Sequence, residues 1–212
     1  MSSTFTFYQC QNPQCDFRFP APAESITLCP RCNCALTSNP PVIHESAPLQ
    51  QPPKVTSKFE VLLDNIRSVL NVGSMFRTAD GAGVSHMHLG GITATPDHPR
   101  IAKTGLGAEW SLPWTYHANG VKAAAQLIAN GAVLWGLETS PDSIPIYSSG
   151  TLPKHLVMVV GSEYAGIDPA IQALCQKIVF LPMAGYKRSL NVAVAFGIAV
   201  YALRYQLNYA AK

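Results

Sequence analysis

From residue 58 onward the chain switches repeatedly between two hydrophobic periods. Residues 58–66, KFEVLLDNI, are a short run of large apolar side chains and read as a strand. Residues 68–83, SVLNVGSMFRTADGAG, have helical spacing and stop on glycines at 81 and 83. The alternation then repeats. Strands are predicted over 84–92, 132–139, 155–163 and 177–183, and helices over 121–131 and 168–175, the latter with Asp168 as N-cap and Pro169 in its first turn. Residues 155–163 are apolar enough for a strand buried on both faces, and residues 93–120 read as largely irregular. Strands alternating with helices predict an α/β domain with a mainly parallel sheet covered on both faces. In such sheets ligands sit beyond the carboxyl ends of the strands, here at Asp64-Asn65, Gly161-Ser162-Glu163 and Leu181-Pro182-Met183.

One junction breaks the pattern. The last helix follows a Pro-Met-Ala-Gly turn at 182–185 and is apolar nearly all round from Leu190, which predicts burial. Yet its leading end carries Lys187, Arg188, Ser189 and Asn191. Ser189 suits an N-cap, whereas an amide such as Asn191 inside an apolar helix needs a partner.

The first 57 residues have a different character. Five of the six cysteines lie there: Cys10, Cys15, Cys29, Cys32 and Cys34. Cys10 and Cys15 bracket QNPQ, and CPRC spans 29–32, with thirteen residues between the pairs. Two short-spaced pairs joined by a hairpin bring four thiolates to one tetrahedral ion, so Cys10, Cys15, Cys29 and Cys32 are the candidate ligands of Zn2+. Cys34 is a fifth candidate that could replace Cys32. A disulfide framework would need an oxidising compartment, for which nothing in the sequence speaks. Residues 37–57 are rich in proline and serine without periodicity. The expected organisation is a zinc ribbon over 1–36, a linker over 37–57 and an α/β domain over 58–212.

Composition adds little beyond bounds. With 212 residues, 48% of them hydrophobic and 13% charged, the chain suffices for one well-packed domain and an appendage. A net charge of +3 permits an anionic partner without identifying one. The opening MSSTFTFYQCQ has no basic stretch before an apolar run, and the apolar part of 190–203 is short for a bilayer and holds Asn191. No membrane segment is therefore expected, and a cytoplasmic location is. Neither the Rossmann glycine spacing nor a P-loop occurs. His86 and His88 share a strand face without metal-ligand spacing and read as structural. Trp110, Trp114 and Tyr116 suit either base stacking or core packing.

Three segments in order carry a resemblance: NIRSVLNVGSMFRTADGAGV (65–84), LVMVVGSEYAGI (156–167) and VFLPMAGYKRSLNVAVAFGIAVY (179–201). They resemble motifs 1, 2 and 3 of the SpoU (TrmH-like) RNA ribose 2′-O-methyltransferases of the SPOUT class, over roughly residues 58–209. KTGLGAEWSLPW (103–114) is similar to a segment some members carry between motifs 1 and 2. The ribbon lies outside the family core.

This resemblance implies a SPOUT fold, whose C-terminal part threads a loop into a trefoil knot, a rare exception to unknotted topology. It implies that the knot's loops hold S-adenosylmethionine. Gly161, Leu181 and Met183 would offer backbone groups to the donor's adenine and ribose, and Ser189, Leu190 and Asn191 would line its pocket. Asn71 and Arg77 match the family's paired Asn and catalytic Arg. A guanidinium rarely gives up its proton, so Arg77 is expected to hold a phosphate and stabilise the forming alkoxide. Glu163 matches the carboxylate of motif 2, either positioning Asn71 or Arg77 or acting as a salt-bridge partner. The implied substrate is structured RNA, tRNA or rRNA, and the implied cover for the last helix is a second protomer in a homodimer. The reading of another class, a non-catalytic RNA-binding or ribosome-associated protein with the same fold, is disfavoured by the presence of all five motif residues. For the ribbon, Arg18, Arg31, Tyr8, Phe17 and Phe19 are candidate RNA contacts.

Overall fold

In the computed structural model of the chain the described residues are 4–40 and 57–209, with side chains described as far as 206. The chain divides into two compact units between residues 51 and 52.

The first unit is a three-stranded antiparallel sheet of β1 (Phe5–Cys10), β2 (Arg18–Pro22) and β3 (Leu36–Ser38), in the order β2-β1-β3. Period-two alternation in β1 buries Thr6, Tyr8 and Cys10. The buried Tyr8 hydroxyl accepts from the backbone N–H of Glu24 at 3.0 Å, and Phe17 stacks on Phe19 with ring centres 5.0 Å apart. Tyr8 is therefore core, not an RNA contact, and the two phenylalanines pack the hairpin. Thr37 and Ser38 belong to this sheet, beyond the boundary expected at residue 36. Residues 41–56, most of the expected linker, lie outside the described residues.

The second unit begins with β4 (Lys58–Asp64), α1 (Val69–Gly81) and β5 (His86–Gly90), as the periodicity predicts. The stretch expected to be irregular holds two single-turn helices, α2 (Ala102–Gly105) and α3 (Ala108–Ser111), and an edge strand, β6 (Trp114–His117). Prolines at 96, 99 and 113 and glycines at 105 and 107 interrupt the apolar positions there, so no period shows. Then come α4 (Gly120–Ala129), β7 (Val133–Leu137), the two-residue β8 (Ile144–Pro145), β9 (His155–Val160), α5 (Pro169–Gln172), β10 (Lys177–Phe180) and α6 (Val192–Tyr209). The sheet runs β6-β5-β4-β9-β7-β10-β8, and every pair in it is parallel. The last strand thus enters the sheet between two earlier strands instead of adding to an edge.

Alternation along β4 explains the two layers. Phe59, Val61 and Leu63 point to the face covered by Val72, Met75 and Phe76 of α1 and by Phe196, Ala199, Val200 and Leu203 of α6. Leu62 points to the opposite face, against Ala123, Ala124 and Leu127 of α4 and Ile171 of α5. Arg204 of α6 donates to the carbonyls of Ala82 and Gly83, pinning α6 to the end of α1. The expected all-round burial of the last helix holds on one face only. Val194, Ile198 and Tyr201 stay exposed, because the sheet covers a single side of α6. Among the described residues no helix is long and apolar enough to cross a membrane.

Candidate active site and metal centre

At the carboxyl ends of β7, β9 and β10 the chain turns away from the sheet and leaves a cleft. Gly161, Leu181, Met183, Ser189 and Leu190, expected at a donor pocket, all line it. Leu137, Glu138 and Thr139 line it too and were not anticipated. Their signal was positional: β7 pairs with β9, so its carboxyl end opens on the same side. Residue 161 has to be glycine, since a Cβ there would collide with the backbone of Gly166 and Ile167. The loop folds back so closely because Ser162 and Gly166 exchange two backbone hydrogen bonds, both 2.9 Å. That closure presents Glu163 and Tyr164 at a tight tip.

Glu163 ties the tip to the start of α1. Its Oε2 accepts from the backbone N–H of Arg67 at 2.9 Å. Its Oε1 accepts from the N–H of Ser68 at 3.1 Å and from Nδ2 of Asn71 at 2.9 Å. Partial burial would raise its pKa, but these bonds outweigh it and hold the carboxyl below its ordinary value. Its polar partners are therefore Asn71 and the α1 N-terminus, and no hydrogen bond links it to Arg77. Asn71 Oδ1 in turn accepts from Asn191 Nδ2 at 3.3 Å. The Asn191 Oδ1 accepts from the N–H of Ala193 at 2.9 Å, so Asn191 caps α6. The reading of Asn191 as an amide inside the helix is thereby corrected: α6 starts at Val192 and Asn191 supplies the cap, so the alternative of Ser189 as a plain N-cap falls away. Asn191 stands beside the cleft and joins the hydrogen-bonded chain Glu163–Asn71–Asn191.

Arg77 lies elsewhere. Six residues after Asn71, it sits about 240° further round α1, exposed, in a second cleft with Ser74, Thr78, Lys103, Thr104 and Tyr201. The two clefts share no lining residue. The 101–105 turn reaches this cleft because α1 has no side chain at Gly73, where a Cβ would meet Thr104 Oγ1 and the Ile101 carbonyl. Asp64 and Asn65, at a strand end where chemistry was expected, line neither cleft. Asp64 is buried, its pKa raised by desolvation, and accepts from Asn65 Nδ2 at 2.9 Å. The pair shapes the β4–α1 turn.

His86 and His88 are structural, as expected. His88 Nδ1 and His117 Nε2 are 3.0 Å apart, and buried Glu60 stands 2.9 Å from His155 Nε2 and 3.5 Å from His88 Nε2. Of the candidate stacking residues, Trp114 packs partly on the core, Tyr116 donates to the Gly91 carbonyl, and Trp110 is exposed.

In the ribbon the Sγ atoms of Cys10, Cys15, Cys29 and Cys32 all lie within 4.8 Å of one another. Cys10 and Cys32 are separated by 3.4 Å and Cys15 and Cys29 by 3.8 Å. Tetrahedral Zn–S bonds of about 2.3 Å set sulfurs about 3.8 Å apart, so this donor set fits the ion. Cys34 stands outside the cluster, which removes it as a replacement for Cys32. Each pair ends in the same turn: Asp16 and Asn33, directly after Cys15 and Cys32, adopt left-handed backbone (φ 46° and 57°). Asp and Asn are the non-glycine residues that tolerate it.

Comparison with known proteins fits this arrangement. Residues 58–201 match the family described as SpoU rRNA Methylase family. Over 149 residues the chain is 31% identical to the 23S rRNA (guanosine(2553)-2'-O)-methyltransferase RlmP of Bacillus subtilis (strain 168), covering 70% of this chain and 59% of that one. The AdoMet-bound rRNA methyltransferase of Sinorhizobium meliloti has a TM-score of 0.67 at 25% identity, over 83% of this chain and 66% of that one. The A. aeolicus TrmH/SpoU tRNA modifying enzyme has a TM-score of 0.63 at 26% identity, over 72% of this chain and 77% of that one. The chain spans about three fifths of the length of the curated relatives it matches. With its three ordered motifs meeting at one end of the parallel sheet and a family match over most of the second unit, this chain belongs to the SpoU rRNA methylase family.

Proposed function

We propose that the second unit transfers a methyl group from S-adenosylmethionine to a ribose 2′-hydroxyl of structured RNA, tRNA or rRNA, in the cytoplasm. The observation that carries this reading is the convergence of residues 161–163, Leu181, Met183, Ser189 and Leu190 around one cleft, beside the Glu163–Asn71–Asn191 chain. The cofactor supplies an electrophilic methyl on a sulfonium, so the protein's task is mainly orientation. Gly161 and the 181–183 turn offer backbone groups to the adenine and ribose of the donor. Leu181 and Leu190 provide apolar walls and Ser189 a hydroxyl, with Asn191 beside them. Asn71, held by Glu163 on one side and Asn191 on the other, positions the reacting ribose. Arg77 holds a neighbouring phosphate and stabilises the developing alkoxide while keeping its own proton.

Arg77 stands apart from the donor cleft in one protomer, which supports a homodimer. Its cleft includes Tyr201, and Tyr201 with Val194 and Ile198 forms the exposed stripe of α6. Pairing two copies through that stripe buries it and lets Arg77 of one protomer serve the cleft of its partner. In the ribbon, Cys10, Cys15, Cys29 and Cys32 hold one zinc, which supplies folding energy that some forty residues cannot find in a core of their own. So tethered, the ribbon raises the local concentration of RNA at the site.

The test is a methyl-transfer assay with tritiated donor on unfractionated tRNA and rRNA, followed by alkaline hydrolysis. A ribose 2′-O-methyl group blocks alkaline cleavage, so label should appear in alkali-resistant dinucleotides. Label in mononucleotides, or no label with either RNA, would overturn the reading.

A further inference from the structure

We propose that Tyr164 and Arg67 form a stacking platform for an RNA base at the mouth of the donor cleft, an inference that rests on the RNA-substrate reading above. Tyr164 is 83% exposed, an unfavourable setting for a large aromatic without a ligand. The Arg67 guanidinium carbon lies 4.5 Å from the ring centroid. With Arg67 against one face and so much of the ring in solvent, the other face is open.

The backbone beneath both members is fixed before any ligand arrives. Tyr164 sits at the tip of the loop that Ser162 and Gly166 close with two reciprocal hydrogen bonds. The backbone N–H of Arg67 is fixed by Oε2 of Glu163, the neighbour of Tyr164, at 2.9 Å. One loop thus presents the ring and also fixes the backbone that carries the cation behind it. No carboxylate forms an ion pair with Arg67 among the described residues.

Position and chemistry select the ligand. Gly161, Ser162 and Glu163, immediately before Tyr164, line the donor cleft, while Tyr164 itself does not. An open aromatic face backed by an unneutralised guanidinium suits a base on the ring and the adjoining phosphate on the cation. The platform would hold a nucleotide flanking the target ribose.

The experiment compares full-length protein binding to an oligoadenylate of about twelve nucleotides and to an abasic oligomer of equal length and charge, by fluorescence anisotropy. Stacking one base is worth roughly 1–3 kcal/mol, so the wild type should prefer the base-bearing oligomer by roughly fivefold or more. Tyr164→Ala should abolish that preference and Tyr164→Phe should keep it. Arg67→Ala should weaken binding to both oligomers. A preference that survives Tyr164→Ala overturns the proposal, as does a wild type that binds both oligomers alike. So does a Tyr164→Ala protein that sediments as a smaller species than the wild type, since the ring would then belong to a protein interface. Calorimetry with S-adenosylmethionine separates this from the parent reading. Retained donor binding in Tyr164→Ala leaves the methyltransferase reading standing whatever the oligomers show, whereas no donor binding in the wild type removes it.

Discussion

Asn71 in the first turn of α1 and Glu163 at the tip beyond β9, 92 positions apart, share a hydrogen bond of 2.9 Å. The same carboxylate accepts from the backbone of Arg67 and Ser68, so it fixes both the helix start and the amide. Removing hydrogen bonds to a charged group costs roughly 1.5–3 kcal/mol, which in a transition state is about 10- to 150-fold. Glu163→Ala should lower methyl transfer by that factor with a smaller change in donor affinity. Wild-type turnover in this variant would deny Glu163 an orienting role.

Asn191 does two things that a pair of substitutions can separate. Its Oδ1 caps α6, and its Nδ2 donates to Asn71. Asn191→Ala removes both and should cost about 0.5–2 kcal/mol of stability, read as a lower melting temperature, besides weakening donor binding. Asn191→Asp keeps the cap but turns an acceptor toward Asn71 Oδ1. It should melt near the wild type and still lose activity. Equal activity in Asn191→Asp and the wild type would remove the Asn71–Asn191 contact from the catalytic arrangement.

If Arg77 acts across a dimer, two inactive proteins should complement. Arg77→Ala and Asn191→Ala homodimers should each be nearly inactive, and mixing with subunit exchange should restore about a quarter of wild-type activity, the share expected when half the molecules are heterodimers with one intact site. No recovery despite demonstrated exchange would place Arg77 in the same protomer's site.

The ribbon should carry one zinc per chain by elemental analysis. Cys29→Ser combined with Cys32→Ser should lose it, and Cys34→Ser should keep it, because Cys34 stands outside the thiol cluster. Deleting residues 1–50 should leave donor binding intact and weaken RNA binding. Zinc loss in Cys34→Ser would redraw the ligand set.

Stability should fall on acidification in two stages. Burial, reinforced by the neighbouring His88, holds His86 and His117 below the ordinary imidazole value. They favour the neutral form, so their contribution is present above about pH 6.5 and declines as pH falls through their depressed values. Burial alone would raise the pKa of Glu60, but hydrogen bonding to His88, Lys58 and His155 outweighs it and keeps the carboxyl well below its usual range. Its contribution is present above about pH 4.5 and is lost as pH falls further. Melting temperature should therefore drop first below about pH 6.5 and again below about pH 4.5. His117→Gln should flatten the first limb and Glu60→Gln the second. A flat profile from about pH 7 to 5 would contradict this account of the half-buried imidazoles.

Much of this protein is legible in its sequence. Runs such as 58–66 and 155–163 are long and apolar enough to specify central strands by themselves, and β4 and β9 pair at the middle of the sheet. The cysteine pairs specify a four-thiolate cluster because their spacing is local, and the three motifs announce the family because each is a contiguous segment. What only the tertiary structure decided is set by distance in space. The partner of Glu163 was undecidable between Asn71 and Arg77, since both lie on one helix and only packing against the 162–166 loop turns Asn71 toward the carboxylate. Asn191 read as an amide inside a helix until the true start at Val192 made it the cap. Arg77 lies in a cleft separate from the donor residues because helical twist carries it round α1, and the exposed stripe of α6 follows from the sheet covering only one side. Local chemistry is written residue by residue. Which of two candidates meets a given group depends on long-range packing, and no short stretch of sequence contains both halves of such a contact.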